Sequence, residues 1–288
     1  MISMDTREKG ILYLCATPIG NLGDITQRVV DTLKEVDIIA AEDTRNSIKL
    51  LNHFDIHTKM TSYHEYNKYD KADELVGEML SGKSVAIITD AGTPGISDPG
   101  EVLVKKCHEM GIKVTSLPGA CACITALTMS GLCSRRFVFE GFLPTDKKEK
   151  KSIFDAIKND TRTIIIYEAP HRLKRTVAEL SDVLGQEREI AFVRELTKQH
   201  EEVIKMTAGE ALKYYENNEP RGEYVLVCSG KNKEDLIEVE KQEWETLTVS
   251  EHVNLYEGRG YDTKEAMKLV AKDRGVSKRD IYKELLND

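Results

Sequence analysis

The sequence predicts an α/β protein: two α/β domains followed by a small helical C-terminal extension. Three observations predict it. Short apolar runs alternate with helix-spaced apolar positions through the first part of the chain, the rhythm of a mainly parallel sheet covered on both faces. From Phe137 to Cys228 the apolar runs crowd together with shorter connections, which predicts a mixed sheet. Beyond a charged linker at 229–242, three helix-capping patterns follow in succession. The expected domains are 1–118, 119–231 and 244–288, with Pro118-Gly119 as the hinge between the first two.

In order along the chain, residues 11–16 predict a first strand, ending in a loop rich in Pro, Gly and Asn. A helix is expected from Asp24, because Asp24 and Gln27 form a capping box and Ile25, Val29, Leu33 and Val36 share one face. Residues 37–41 read as a second strand, and Leu75, Val76, Met79 and Leu80 mark a helix. Residues 84–90 are the clearest buried strand. Asp98-Pro99-Gly100-Glu101 then offers an N-cap, a proline at N1 and an acid at N3 for a helix through Val102, Leu103, Cys107 and Met110. A strand at 112–117 follows.

In the second domain, strands are expected at 137–142, 163–167, 190–193, 202–206 and 224–228, with a helix from Pro170 carrying Leu173, Val177, Leu180 and Leu184 on one face. In the tail, Thr248 with Glu251 and Asp262 with Glu265 are capping boxes, and Ser277 with Asp280 is a weaker variant. Ala266, Leu269 and Val270 face one way, Gly275 breaks the run, and Ile281, Leu285 and Leu286 follow. Helix, glycine turn, helix is a helix-turn-helix-like pattern, compatible with a bland helical cap as much as with a nucleic-acid reader.

Composition narrows the function. The 288 residues carry a net charge of −8, with 40% hydrophobic and 31% charged residues, so disorder and collagen-like or solenoid arrays are excluded. No apolar run approaches the roughly 20 residues of a membrane helix. The first residues are polar and include acids, unlike a secretory signal or an Arg-rich transit peptide, and a cytoplasmic protein is expected. The six cysteines form no C-x-x-C pair and no zinc spacing, and all six are expected to be small buried thiols. No metal site is expected. Net acidity argues against a protein that coats nucleic acid. Even so, 144–175 holds nine Lys/Arg against five Asp/Glu, and 263–283 holds seven against three. Either stretch alone reads as a solvated helix face; together they keep a polyanion partner in view.

Three loops rich in Gly and Pro follow strands, at 16–24, 89–98 and 117–122. Ligands of parallel sheets bind at the carboxyl ends of strands, on such loops. None is a dinucleotide fingerprint or a phosphate-binding P-loop. Asp90, at the end of the central strand, is an acceptor suited to a ribose hydroxyl or an amine, so the ligand is expected to be cationic or neutral and hydroxyl-bearing. Polar clusters close other strands: Glu42-Asp43-Thr44-Arg45, Tyr63-His64-Glu65, Glu168-Ala169-Pro170-His171-Arg172 and 194–201. Any one of them is also compatible with a surface ion-pair set.

The motifs Ala16-Thr17-Pro18-Ile19-Gly20-Asn21-Leu22-Gly23-Asp24, Ala41-Glu42-Asp43-Thr44-Arg45, Ser62-Tyr63-His64-Glu65, 90–100, Tyr167-Glu168-Ala169-Pro170-His171-Arg172 and Arg221-Gly222-Glu223-Tyr224 occur in order. With them the sequence resembles the tetrapyrrole (corrin/porphyrin) methylase family, and within it the branch of bacterial 16S rRNA cytidine 2′-O-methyltransferases acting at the decoding centre. The resemblance implies a fold of tetrapyrrole-methylase type, with S-adenosylmethionine (SAM) bent into the cleft between two α/β domains, usually in a homodimer. It carries cofactor contacts onto Pro18, Ile19, Asp90, Gly92 and Thr93, and onto Cys121, Ala122 and Tyr167. Cys121-Ala122 replaces a Thr/Ser pair of the porphyrin methylases, losing two hydroxyls but keeping backbone groups. The first loop lacks their G-x-G-x-G-D pattern, which favours the rRNA branch over a tetrapyrrole substrate.

The reaction implied is in-line transfer of a methyl from a sulfonium to a ribose 2′-OH. That chemistry needs alignment, exclusion of water and help in removing a proton, and requires no metal. From residue chemistry and strand-end placement, Glu168, Glu195 and His171 are the expected catalytic residues, with His64 and His200 as further base candidates. Arg45, His64, Arg172, Arg194 and Lys198 are the expected RNA contacts, with 16S rRNA or the small ribosomal subunit as partner. Two readings compete: a small-molecule methylase acting on a free tetrapyrrole, and a non-catalytic RNA-binding protein with a vestigial cleft.

Overall fold

Hydrophobic alternation along each strand decides how the sheets are covered. In a computed structural model describing residues 8–232 and 244–286, the first sheet is formed by β1 (Ile11–Cys15), β2 (Ile38–Ala41), β3 (Met60–Ser62), β4 (Val85–Ile88) and β5 (Lys113–Leu117). Their order is β3-β2-β4-β1-β5, and every pairing is parallel. Leu12, Leu14, Ile38, Ala40, Val85 and Ile87 enter one core, while Cys15, Ile39, Ala41, Ala86 and Ile88 enter another on the opposite face. A strand that buries both faces reads as a continuous apolar run, which is why β2 and β4 were legible.

The helices of this half are α1 (Gln27–Glu35), α2 (Thr44–His53), α3 (Lys68–Leu80) and α4 (Gly100–Glu109). Two expected starts shift. Asn21 accepts the Gly23 N–H and bends Leu22–Asp24 into a 3-10 turn, so the N-cap of α1 is Thr26, whose hydroxyl accepts the Val29 N–H, and not Asp24. Pro99 occupies the N-cap of α4, and the Asp98 carboxylate instead gathers the N–H groups of Gly95, Ile96 and Gly100. Asp98 therefore braces the loop before the helix.

The second sheet is mixed, as expected. It contains β6 (Phe137–Phe142), β7 (Thr163–Glu168), β8 (Glu189–Arg194), β9 (Glu202–Thr207) and β10 (Tyr224–Cys228), in the order β6-β7-β10-β8-β9. Only β6 and β7 pair in parallel. α6 (Lys147–Ile157), α7 (Pro170–Leu184) and α8 (Ala208–Asn217) contribute to the core on one face. α5 (Ala122–Ser130) packs Cys123, Ala126 and Leu127 against Ile165, Ala191, Val193, Val225 and Val227 on the other. In the basic stretch of α6, Lys150 is buried and ion-paired to Glu179 at 2.7 Å, so that lysine belongs to the interior.

Both sheets lie in a larger unit within Met1–Lys158 and Arg162–Ser229; a smaller unit lies within Asn159–Thr161 and Gly230–Asp288. The smaller unit holds α9 (Val249–Gly258), α10 (Thr263–Asp273) and α11 (Lys278–Leu285) around Val249, Val253, Ala266, Val270, Ala271 and Ile281. Leu269 is only half-buried, and Leu286 is exposed rather than packed. Ser277 and Asp280 form a complete reciprocal box, stronger than their sequence suggests. Gly275, at φ +65°, makes the turn between α10 and α11. Most of the charged linker, 233–243, lies outside the described residues. Among the described residues no helix is long and apolar enough to cross a membrane.

The cysteines correct one expectation. Cys15, Cys107, Cys123 and Cys228 are buried, but Cys121 is half-buried and Cys133 is exposed. Cys133 sits in the connection between α5 and β6, and Cys121 ends the loop before α5, where neither is enclosed by a sheet.

Candidate functional site

The carboxyl ends of the first sheet's strands carry the loops that build the site. Thr17 and Gly92 exchange two backbone hydrogen bonds, at 2.9 and 3.1 Å, and the Thr17 hydroxyl donates to the Thr89 carbonyl at 3.0 Å. The Thr93 hydroxyl donates to the Ala120 carbonyl at 2.9 Å. The three Gly/Pro loops are thus tied to one another. Gly92 has φ +89°, and a Cβ there would lie 3.4 Å from Ile19 Cγ2 and 3.6 Å from the Ala120 oxygen. The glycine leaves space where a side chain would stand, and that space opens into a cavity of about 280 Å³.

The second sheet supplies the facing wall. Tyr167, Glu168, Val193 and Val225 line it, as do Phe142 and Tyr224. Tyr167 is fixed by the Cys123 N–H, which donates to its hydroxyl at 3.0 Å, and by edge contacts with Phe139 and Phe142. Phe142 is 56% exposed, an unusual position for a phenyl ring.

The segment after β8 closes against the first loop. A Cβ on Gly20 would lie 2.5 Å from Lys198 Cγ and 2.8 Å from the Leu196 oxygen, so only glycine permits this approach. Glu195 and Thr197 both hold positive φ, +50° and +63°. Non-glycine residues in that region cost energy, and such strain gathers where function over-determines the backbone. Lys198 ties the segment down, bridging Glu195 at 2.9 Å and Glu223 at 2.7 Å. The Glu223 N–H and then Lys198 hold the Glu195 carboxyl below its ordinary range. Burial works against the charge on Lys198, but its bonds to Glu223 and Glu195 raise its pKa overall.

Of the residues expected at the cofactor site, Ile19, Gly92, Thr93, Cys121, Ala122 and Tyr167 line the cavity, and so do Glu168 and Lys198. Pro18 and Asp90 are not among the lining residues; Asp90 is exposed and accepts from the Asn46 amide at 3.1 Å. The Glu168 side chain is wholly buried, with its carboxylate accepting from Thr176 Oγ1 at 2.5 Å and the Ala169 N–H at 2.9 Å. Arg172 Nε lies 3.4 Å from it, and this guanidinium also donates to the Leu143 carbonyl. Glu195 and His171 stand outside the lining, His171 exposed at the start of α7. Arg45 is exposed and paired to Asp43 at 2.7 Å, and this pairing holds the Asp43 carboxyl at about 2. His64 is half-buried with Nδ1 unpartnered, and Arg194 pairs with Glu202 at 3.0 Å.

Residue patterns alone missed Glu42 and Phe142. Glu42 lines the cavity at the end of β2, and its hydrogen bond is from the Asp90 N–H at a long 3.4 Å. Burial raises its proton affinity, the Asp90 N–H works against this, and the nearby charges of Asp90, Asp98 and Asp43 raise it further. The signal was present in the Glu42-Asp43 pair, but only the fold turns Asp43 into the cap of α2 and Glu42 toward the cavity.

The model of the tetrapyrrole (corrin/porphyrin) methylases matches residues 11–212. The chain is 50% identical over 275 residues to "Ribosomal RNA small subunit methyltransferase I" of Bacillus subtilis (strain 168), covering 96% of this chain and 94% of that protein. It is 47% identical over 275 residues to the protein of the same name from Halalkalibacterium halodurans, with the same two coverages. A crystal structure of diphthine synthase superposes with a TM-score of 0.62 at 12% identity, covering 76% of this chain and 90% of the other, a likeness of fold alone.

The cavity's own chemistry suits the family's methyl donor. Four carboxylates, Glu42, Asp98, Glu168 and Glu223, line it against the single ammonium of Lys198. Such a wall favours a ligand bearing a sulfonium and an ammonium over a polyphosphate. The Gly92 gap and the aromatic ring of Tyr167 give flat apolar room beside those charges. With a family match over most of its length and near relatives along almost all of it, the chain belongs to the tetrapyrrole (corrin/porphyrin) methylase family, whose members use SAM.

Proposed function

We propose that this chain methylates 16S rRNA, at the ribose 2′-OH of a cytidine in the decoding centre, working as a cytoplasmic homodimer. The observation that carries the reading is the extent of the likeness to proteins named for small-subunit rRNA methylation. It spans 96% of the chain, whereas the family match ends at residue 212, so it takes in the basic C-terminal helices as well.

When bound, SAM supplies a methyl activated on a sulfonium sulfur. Ile19, Gly92, Thr93, Ala122 and Tyr167 would hold it through backbone groups and apolar faces, with Pro18, Asp90 and Cys121 beside them. Glu42 accepts the proton of the 2′-OH, because its raised proton affinity suits it to that task better than a carboxylate already saturated with donors. Glu168 is such a saturated carboxylate; it positions Arg172 and the first turn of α7. Glu195 likewise positions Lys198. Phe142 offers its exposed face to the base of the target nucleotide, since ring stacking is the sequence-tolerant way to hold a splayed base. Arg45 and His64 meet the phosphate backbone, with His171 alongside. Arg172, Arg194 and Lys198, held in place by Glu168, Glu202 and Glu195, join them by offering their remaining N–H donors to phosphate.

Alkaline digestion tests the finer chemistry. A 2′-O-methyl removes the nucleophile that cleaves the adjoining phosphodiester, so label transferred from SAM is expected in an alkali-stable dinucleotide beginning with cytidine. Label in a mononucleotide places the methyl on a base and contradicts the reading. A chain ended after Gln242, lacking the basic helices, is expected to bind rRNA about 10- to 100-fold more weakly at fixed salt, with SAM affinity kept. Calorimetry with each ligand measures both, and equal losses assign the C-terminal helices a purely structural role.

A further inference from the structure

Two thiols meet in the wall of the cavity. Cys121 lines it and is half-buried. Cys123, in the first turn of α5, is 5% exposed and packs into the apolar layer beneath. Their sulfur atoms are 3.4 Å apart. A disulfide needs about 2.05 Å, so closure draws these two neighbouring residues together. We propose that Cys121 and Cys123 form a peroxide-sensitive dithiol–disulfide site, closed by oxidation into a form that binds SAM poorly; the second half rests on the reading of this cavity as the SAM site.

The division of labour follows from exposure and polarity. Cys121 is the sulfur an oxidant reaches through the cavity, and Cys123 is the sulfur beneath it. Either thiol can donate across this contact; with Cys123 as the donor, its bond and the N–H groups of Ile124 and Cys123 favour a Cys121 thiolate, while burial opposes the charge. In that arrangement the Cys121 thiol is lowered from its ordinary value and favours the thiolate, while its neighbour and burial raise Cys123. The oxidant is a hydroperoxide, hydrogen peroxide in the simplest case. The Cys121 thiolate attacks one peroxide oxygen, the O–O bond breaks, hydroxide leaves, and Cys121 becomes a sulfenic acid. Cys123 sulfur then attacks Cys121 sulfur, the S–O bond breaks, and the departing hydroxyl takes the Cys123 proton as water. Two thiols and one peroxide thus become one disulfide and two waters.

Closure reaches the cavity through two links. The Cys123 N–H holds the Tyr167 hydroxyl at 3.0 Å, and the Cys121 carbonyl accepts from the Thr125 N–H and hydroxyl at 3.0 Å each. Drawing the two sulfurs together moves the residues that carry both anchors of this wall.

The test uses the full chain, reduced and then titrated with hydrogen peroxide, alkylated and mapped by peptide mass. The peptide holding Cys121 and Cys123 is expected to lose about 2 Da and take no alkyl group, with reversal by dithiothreitol. Saturating SAM is expected to slow that loss about tenfold or more, and the oxidised chain to bind SAM at least about tenfold more weakly by calorimetry. In Cys123→Ser the 2 Da loss is expected to vanish, with Cys121 gaining one or two oxygens instead. Two alkyl groups on the wild-type peptide after peroxide, or oxidation confined to the exposed Cys133, overturns the proposal. If the reduced chain binds no SAM, the cavity reading fails and the coupling with it, while the mass map still decides the disulfide.

Discussion

Glu42→Gln is expected to lower methyl transfer by about 10²- to 10⁴-fold, the range a positioned proton acceptor contributes. The same change is expected to raise the melting temperature at neutral pH. The two signs follow from one observation. Burial and the charges of Asp90, Asp98 and Asp43 make the Glu42 carboxylate costly in the folded chain. A carboxyl whose pKa is raised on folding binds its proton better in the folded state. Its contribution therefore weakens stability as pH rises from the ordinary carboxylate range through the raised value. Glutamine keeps an oxygen for the Asp90 N–H, loses the charge, and removes that part of the pH slope. Melting curves between acid and neutral pH, beside single-turnover rates, measure both. A variant that loses stability and keeps its rate assigns Glu42 to structure alone. Stability lost to activity at one residue is the trade expected of a working site.

Gly92→Ala is expected to raise the SAM dissociation constant about 10- to 100-fold, at 1.4 kcal/mol per tenfold. An alanine at φ +89° carries about 1–2 kcal/mol of backbone strain before it touches anything. Its methyl would also meet Ile19 Cγ2 at 3.4 Å, within the gap that opens the cavity. Gly92 also carries both backbone hydrogen bonds that clamp the first loop to the central one, so any backbone shift that relieves the strain is expected to loosen that clamp. Melting should fall by only a few degrees, since the sheet cores are untouched. Calorimetric titration separates the two effects. Unchanged SAM affinity with a lowered melting temperature removes the Gly92 gap from the binding site.

Much of this was legible in the chain because burial writes itself into strands. β2 and β4 bury both faces, so their apolar runs are continuous and their loops mark the site. α5 was missed for the opposite reason: Ala122–Ser130 is apolar with little one-sidedness, and helix periodicity has nothing to detect. α2 hid behind Glu42-Asp43, where one acid caps the helix and the other turns to the cavity. The strand-end position of Glu168 was readable, but its three donors were not, because Thr176 and Arg172 reach it from further along α7. The ring of Phe142 gained meaning only when its strand set it, half-exposed, at the cavity wall.

Whether this cavity serves methylation of small-subunit rRNA is read from transfer of labelled methyl from SAM. The acceptors are purified small ribosomal subunits lacking the modification, free 16S rRNA and a free tetrapyrrole, assayed side by side. Label is expected in one ribose near the decoding centre of the subunit or its rRNA, and none in the tetrapyrrole. Label in the tetrapyrrole, or no label in any RNA while calorimetry shows SAM bound, contradicts the rRNA reading.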